Sequence, residues 1–102
     1  MGVYQFAPEL ITFNLCGGMT YFDNNGIEEK PFNIEIKTGN KAELNIDNVN
    51  GNKISVDSDN GNVDLNCKIN SLYAKLRNNS SLDGVSGALN ISVERDSTSS
   101  LQ

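Results

Sequence analysis

Short runs of alternating apolar and polar residues recur along the chain, and no stretch shows a sustained helical pattern. A period of two places every second side chain on the same side of the backbone, which is typical of a β-strand with one buried face. Turn-forming segments rich in Asn and Gly separate these runs at regular short spacing. The chain is therefore predicted to be all-β. The apolar positions of the runs are Ile11, Phe13 and Leu15; Phe32, Ile34 and Ile36; Leu44 and Ile46; Ile54 and Val56; Val63 and Leu65; Leu72, Ala74 and Leu76; and Leu89, Ile91 and Val93.

The segment "ISVDSDNGNVDL", residues 54–65, is predicted to form a hairpin. A two-residue loop at Asn60 and Gly61 would place Val56 opposite Leu65, so that the apolar sides of both strands coincide. Asn-Gly is also the preferred pair for a type I′ turn. The same register would set Asp57 opposite Asp64, and two like charges across a strand pair are unfavourable unless solvent or a cation screens them.

A three-residue loop ending at Gly51 would extend this hairpin by one strand. It would place Ile46 opposite Ile54, and residues 42–67 would then form a three-stranded antiparallel meander. We therefore expect an antiparallel two-sheet β-sandwich, galectin-like or jelly-roll-like. A β-solenoid is the alternative.

The length of 102 residues predicts one domain with a small core. We assign residues 1–94 to this domain and leave open whether residues 1–30 belong to the sandwich. The polar, Ser-rich segment 95–102, "RDSTSSLQ", is expected to be a disordered tail or a linker.

Composition and charge exclude several classes of function. The net charge of −5 is spread along the chain, whereas binding to a phosphate backbone needs clustered Lys and Arg, so we expect no nucleic-acid partner. No apolar run approaches the roughly 20 residues of a membrane span, and the first residues lack the basic and apolar parts of an export leader. We expect neither a membrane span nor export.

The residues needed for catalysis are sparse. The chain has no His, the commonest general base and metal ligand, and no serine lies in a G-x-S-x-G segment. Neither Cys16 nor Cys67 lies in a C-x-x-C or zinc-binding spacing, and we expect two free thiols unless the fold brings them together. We therefore expect that the chain is not an enzyme and that it holds no cofactor. Calcium is the one candidate for a bound ion.

The calcium candidate lies at the Asn-Gly turn. Asp57, Asp59 and Asp64 offer hard oxygen ligands close together in sequence, as calcium requires. A cation here would also relieve the expected repulsion between Asp57 and Asp64. The alternative interpretation is that these residues cap and solvate a turn.

A second candidate is a contact strip on the polar side of "LYAKLR". Tyr73, Lys75 and Arg77 alternate with apolar residues there, so all three are expected to point outward. Sugar-binding sandwiches often use an exposed aromatic ring as a platform, and Tyr4, Tyr21 and Phe22 are further aromatic candidates. The alternative is a Tyr73 half-buried against a neighbouring strand.

Residues 31–94 resemble the C-terminal β-sandwich domain of distal tail and related tail-component proteins of phages with long non-contractile tails. The matching pieces are "PFNIEIKTGN", "AELNIDNVNGN", "KISVDSDNGNVD", "NSLYAKL" and "SGALNISVER". The resemblance implies a non-enzymatic virion structural protein that contacts other tail proteins or a cell-surface saccharide. It also implies a location in the virion tail, assembled in the host cytoplasm.

Two other hypotheses remain open. "VNGNKISVDSDNGNVDL" and "VSGALNISV" are also similar to the short repeats of bacterial putative-adhesin domains, which stack as a β-solenoid and would place the chain in the bacterial cytoplasm or at the cell surface. The third hypothesis is a small acidic inhibitor that mimics nucleic acid and binds a basic enzyme.

Overall fold

The computed structural model describes residues 8–24 and 31–102 of the chain. These residues form β-strands and one short 3₁₀ helix, and every pairing between the described strands is parallel. The strands are β1 (Glu9–Cys16), β2 (Met19–Asp23), β3 (Pro31–Gly39), β4 (Glu43–Asp59), β5 (Asn62–Arg77), β6 (Ser81–Asp83), β7 (Ala88–Arg95) and β8 (Ser100–Leu101), and the helix Val85–Gly87 precedes β7.

The strands stack into two faces of a β-solenoid. The long face contains β1, β3, residues 50–59 of β4, residues 68–77 of β5, and β7. The short face contains β2, residues 43–47 of β4, residues 62–66 of β5, β6 and β8. One coil comprises one segment of each face, and paired residues from β3 onward lie 18 to 20 positions apart in sequence.

Inward side chains of successive coils form apolar columns that hold the stack together. Ile34, Ile54 and Leu72 share one column of the long face and are each at most 3% exposed. Leu44 and Val63 stack in the same way on the short face. Burial of one such side chain contributes roughly 1.5–3 kcal/mol relative to leaving it in water. The inward residues of both faces belong to one hydrophobic cluster, so the core lies between the two faces.

The predicted antiparallel two-sheet sandwich, galectin-like or jelly-roll-like, is wrong, and the alternative β-solenoid is the observed fold. Hydrogen-bonded neighbours are strands one coil apart, and they run in the same direction. Alternation of apolar and polar residues is identical in parallel and antiparallel strands. The pattern therefore predicts which side chains point inward, but it carries no information on strand direction.

The predicted meander over residues 42–67 is wrong for the same reason. Val56 pairs with Ala74 instead of Leu65, and Ile46 pairs with Leu65 instead of Ile54. Both arrangements match apolar residues with apolar residues. A match between two adjacent segments therefore could not distinguish a hairpin from a coil.

Residues with positive φ occupy most corners at which the chain passes from the long face to the short face. Gly17, Asn40, Asn60 and Asn78 have φ of 89°, 51°, 62° and 56°. Asn tolerates this left-handed conformation better than most residues. A type I′ hairpin at Asn60 and Gly61 would need positive φ at both residues, and only Asn60 adopts it. The chain therefore changes face here instead of reversing.

The corner at Gly61 is too crowded for a residue with a side chain. The Gly61 amide donates a hydrogen bond to Ser80 Oγ at 3.3 Å. A Cβ atom at this position would lie 2.7 Å from Thr38 Cβ and 2.9 Å from Ser58 Oγ. Thr38 Oγ1 donates to Ser58 Oγ at 2.7 Å in the same buried region. Glycine is thus required by the close approach of two hydroxyl-bearing side chains.

Segment 95–102, which the sequence predicts to be a disordered tail or linker, contains an ordered corner and β8. Asp96 accepts hydrogen bonds from the Asn78 amide and from Thr98 and Ser99. These hydrogen bonds hold the pKa of the Asp96 carboxyl well below its usual range, with the Asn78 amide as the largest cause. Ser99 is buried beside Ser80, whose amide donates to Ser99 Oγ.

Candidate functional site

The outward side chains of the long face form a flat ladder across successive coils. Glu35, Ser55 and Tyr73 occupy neighbouring positions in one outward column. Lys37, Asp57, Lys75 and Glu94 occupy neighbouring positions in the next column. Parallel strands with matched register place these residues side by side, because each outward position recurs once per coil.

A groove of about 410 Å³ crosses this ladder. Its polar lining comes from four strands, and its floor includes the backbone positions of apolar core residues. Tyr73 borders the groove and is 47% exposed, so about half of the residue is accessible to solvent. The lining residues are Thr12, Phe13, Asn14, Glu35, Ile36, Lys37, Ser55, Val56, Asp57, Tyr73 and Lys75.

The predicted contact strip is divided by this groove. Tyr73 and Lys75 both line it, whereas Arg77 lies outside it. The Arg77 guanidinium donates to Asp57 Oδ1 at 2.9 Å, and both side chains are more than 40% exposed. An ion pair with this exposure stabilises the fold only weakly, by about 0–1 kcal/mol. Asp57 itself also lines the groove, so the ion pair lies at the edge of the groove.

The structure does not bring together the three carboxylates of the predicted calcium site. Asp57 pairs with Arg77, and Asp59 accepts a hydrogen bond from Asn78 Nδ2 at 2.6 Å. Asp64 lies on the short face, beyond the corner. The predicted pairing of Asp57 with Asp64 is also wrong, since Asp57 lies beside Lys75. Among residues 8–24 and 31–102, no group of three or more His, Cys, Asp or Glu is arranged to hold a metal ion.

The other aromatic candidates do not extend the Tyr73 platform. Tyr21 lies on the short face, and its hydroxyl donates to Asp47 Oδ2 at 2.6 Å. This hydrogen bond is the main cause that raises the pKa of Tyr21 to about 12. Phe22 points inward and contacts Phe13 edge to face, with ring centroids 5.6 Å apart. Tyr4 lies outside the described residues.

Cys16 and Cys67 are both free thiols, as the sequence predicts. Cys16 is exposed at the end of β1, and Asn40 Nδ2 donates to its Sγ at 2.6 Å. Cys67 lies at the opposite corner and is partly buried. Burial, with a smaller contribution from the charge of Asp47, raises the pKa of the Cys67 thiol to about 11. Neither thiol borders the groove.

Glu35, Lys37 and Thr12 are groove residues that the sequence analysis missed. They precede Tyr73 by two or more coils, so no local motif links them to it. The one available signal was the recurrence of equivalent apolar positions about every 19 residues, as in Ile54 and Leu72. If one coil contains two strands, a repeat of about 19 residues places outward residues that are about 19 positions apart side by side.

Comparison of the chain with protein-family models, curated proteins and solved structures finds no match. No helix in the described part of the chain has both the length and the apolar character needed to cross a membrane.

Proposed function

We propose that the chain is a non-enzymatic recognition module of the adhesin-like β-solenoid kind, which binds a saccharide chain in the groove of the long face. The observation that carries this proposal is the half-exposed Tyr73 ring at the border of a groove whose lining combines apolar surface with polar side chains from four strands. An aromatic ring offers an apolar surface to the C–H side of a sugar ring, and its neighbours can bond the hydroxyl groups.

The polar groups around Tyr73 suit neutral hydroxyl groups. Ser55 and Thr12 can donate or accept a hydrogen bond, Asn14 offers an amide, and Lys75 offers donors only. The groove contains both signs of charge and no cluster of one sign. Because a sugar hydroxyl can both donate and accept, such a mixed wall can satisfy it from either side.

The same charge pattern supports this proposal over the acidic-inhibitor hypothesis. Lys37, Asp57, Lys75 and Glu94 alternate in sign along their column. A mimic of nucleic acid needs a row of negative charges at roughly the spacing of phosphates, which this face does not offer. The phage tail-tip role implied by the sequence resemblance rests on an antiparallel sandwich, and the parallel coils remove that support.

The proposal is tested by titrating the 102-residue chain with hexasaccharides of glucose and of N-acetylglucosamine. Calorimetry would give the affinity, and amide chemical shifts would locate the binding site. We expect the shifts to concentrate at Ser55, Tyr73 and Lys75. Tyr73→Ala should weaken binding about tenfold or more, because truncation of a central aromatic contact commonly costs that much.

The matched control is Tyr21→Ala, which removes another exposed tyrosine, one that lies on the short face. Its affinity should equal that of the unmodified chain. Absence of binding to every hexasaccharide would overturn the proposal. Equal weakening by Tyr73→Ala and Tyr21→Ala would overturn it as well, because the loss would then not be specific to the groove.

A further inference from the structure

In the part of the chain that the structure describes, the strands at the two ends of the coil stack each pair along one edge only. Among the described strands, β1 pairs only with β3 and β7 pairs only with β5 on the long face. On the short face, β2 pairs only with β4 and β8 only with β6. Within residues 8–24 and 31–102, both faces therefore end in a strand edge that no other described strand pairs with, and such an edge can accept a further strand.

Large exposed apolar side chains are concentrated at these two ends. Ile91 in β7 occupies the same column as Leu72 and Ile54, yet it is 49% exposed while they are at most 3% exposed. The difference arises because no described strand covers Ile91 on its far side. Leu89 in β7 is 79% exposed, and Leu10 in β1 is 62% exposed.

Each column of stacked side chains on the long face runs through the whole solenoid, from the first coil to the last. Ile11 begins the long-face column that ends at Ile91. Phe13 begins the column that ends at Val93 in the same way. A second copy placed beyond β7 with the same strand direction would therefore set its Ile11 on Ile91 and its Phe13 on Val93. Inward apolar side chains would again meet inward apolar side chains.

The short face matches in the same placement. Thr20 begins the column that ends at Leu101, so the second copy would set Thr20 on Leu101 while its β1 pairs with β7. Outward positions are compatible too. Leu10 would face Asn90, and Asn14 would face Glu94, which juxtaposes no like charges.

We propose that this chain associates head to tail with further copies of itself, the first coil of one copy stacking on the last coil of the next. The contact is heterologous, since β1 of one copy meets β7 of another. Such a contact yields open filaments, with an unstacked β1 at one end and an unstacked β7 at the other, unless the rotation closes a ring. This self-association goes beyond the proposed saccharide binding.

The test uses a charge exchange at two exposed positions that face each other only in this arrangement. The variant with Leu10→Lys and Asn90→Lys places two positive charges at each junction. The variant with Leu10→Glu and Asn90→Lys changes the same two positions but places opposite charges there. Sedimentation velocity over a range of concentrations would measure association, and circular dichroism would verify that both variants keep the β-fold.

We expect the unmodified chain and the Glu/Lys variant to form assemblies that lengthen with concentration. The Lys/Lys variant should associate at least about tenfold more weakly, because like charges at an interface oppose contact. This difference should shrink at high salt. A monomeric unmodified chain at about 1 mM would overturn the proposal. Equal association of the two variants would also overturn it, since pairing of like ends never brings position 10 to position 90.

Discussion

At the scale of single residues, the corners of the solenoid depend on side chains that are small or absent. Gly61 has Thr38 and Ser58 so close that a Cβ atom would overlap them. Both neighbours are buried, and their hydroxyl groups are hydrogen-bonded to each other. The need for glycine here comes from packing, since Gly61 does not have positive φ.

Gly61→Ala should therefore lower the free energy of unfolding by about 2 kcal/mol, the usual cost of overpacking a tight site. Urea denaturation followed by circular dichroism would measure the change. Gly87→Ala is the matched control, because the nearest atom to its Cβ would be Cys67 O at 4.0 Å. Equal free energies of unfolding for the two variants would contradict this prediction, because they would show that Thr38 and Ser58 can move aside for the added methyl group without loss of stability.

The two thiols should differ in reactivity because Cys67 is partly buried whereas Cys16 is exposed. The thiolate is the reactive form, and the pKa of Cys67 is raised to about 11, so at pH 8 very little Cys67 is ionised. Iodoacetamide should modify the exposed Cys16 first, and Cys67 should react appreciably only as the pH approaches 11 or after denaturation. Peptide mass spectrometry over a pH series would measure both rates. Equal rates at pH 8 in the folded protein would contradict this prediction.

At the scale of strands, the outward columns of the long face show how parallel stacking couples residues one coil apart. Asp57 in β4 lies between Lys37 in β3 and Lys75 in β5. Opposite charges on adjacent strands attract weakly, and like charges in the same places repel. The alternation of sign therefore stabilises the observed pairing of β4 with β3 and β5.

Asp57→Lys should destabilise the fold by about 1 kcal/mol at low salt, since it places three lysines in one column and removes the exposed ion pair with Arg77. The loss should diminish as salt rises. Thermal unfolding at two salt concentrations would measure it. Ser55→Lys, on the outward side of the same strand beside Glu35, should have a much smaller effect. A salt-independent loss would point to altered packing instead.

At the scale of the whole molecule, the solenoid behaves as a stack of nearly equivalent coils. Leu44 and Val63 lie on adjacent coils at the same position of the short face. Deletion of residues 44–62 would join Glu43 to Val63 and place Val63 where Leu44 was. Each coil contacts mainly its neighbours, so the chain should fold with one coil fewer.

Circular dichroism and the melting temperature would test this deletion. We expect a β-spectrum and a lower melting temperature, because less apolar surface is buried. Deletion of residues 44–53 is the control, because it removes about half a coil and carries Ile54 from the long face to the short face. That variant should fail to fold. Folding of both deletions would mean that coil register does not determine the structure.

The apolar runs of β1, β3, β4, β5 and β7 were predicted from the sequence, but β2, β6, β8 and the arrangement of the strands were not. Val63 and Leu65 point inward as their alternation indicates. Strand direction depended on the corner at Asn60, where Asn-Gly suits both a hairpin and a left-handed corner residue. The outward orientation of Tyr73 and Lys75 was predictable in the same way. Their neighbours from β1 and β3 were not, because only the stacking of coils brings them near.

The one-coil spacing between hydrogen-bonded strands also determines how the molecule would respond to a pulling force. A force on the two ends of the chain would peel coils from an end, one after another, since each coil is held by its neighbour through parallel backbone bonds. Each released coil of about 19 residues would lengthen the tether by roughly 65 Å of extended chain. We therefore expect the solenoid to unfold under force in steps of similar length, one coil at a time, and not in a single event.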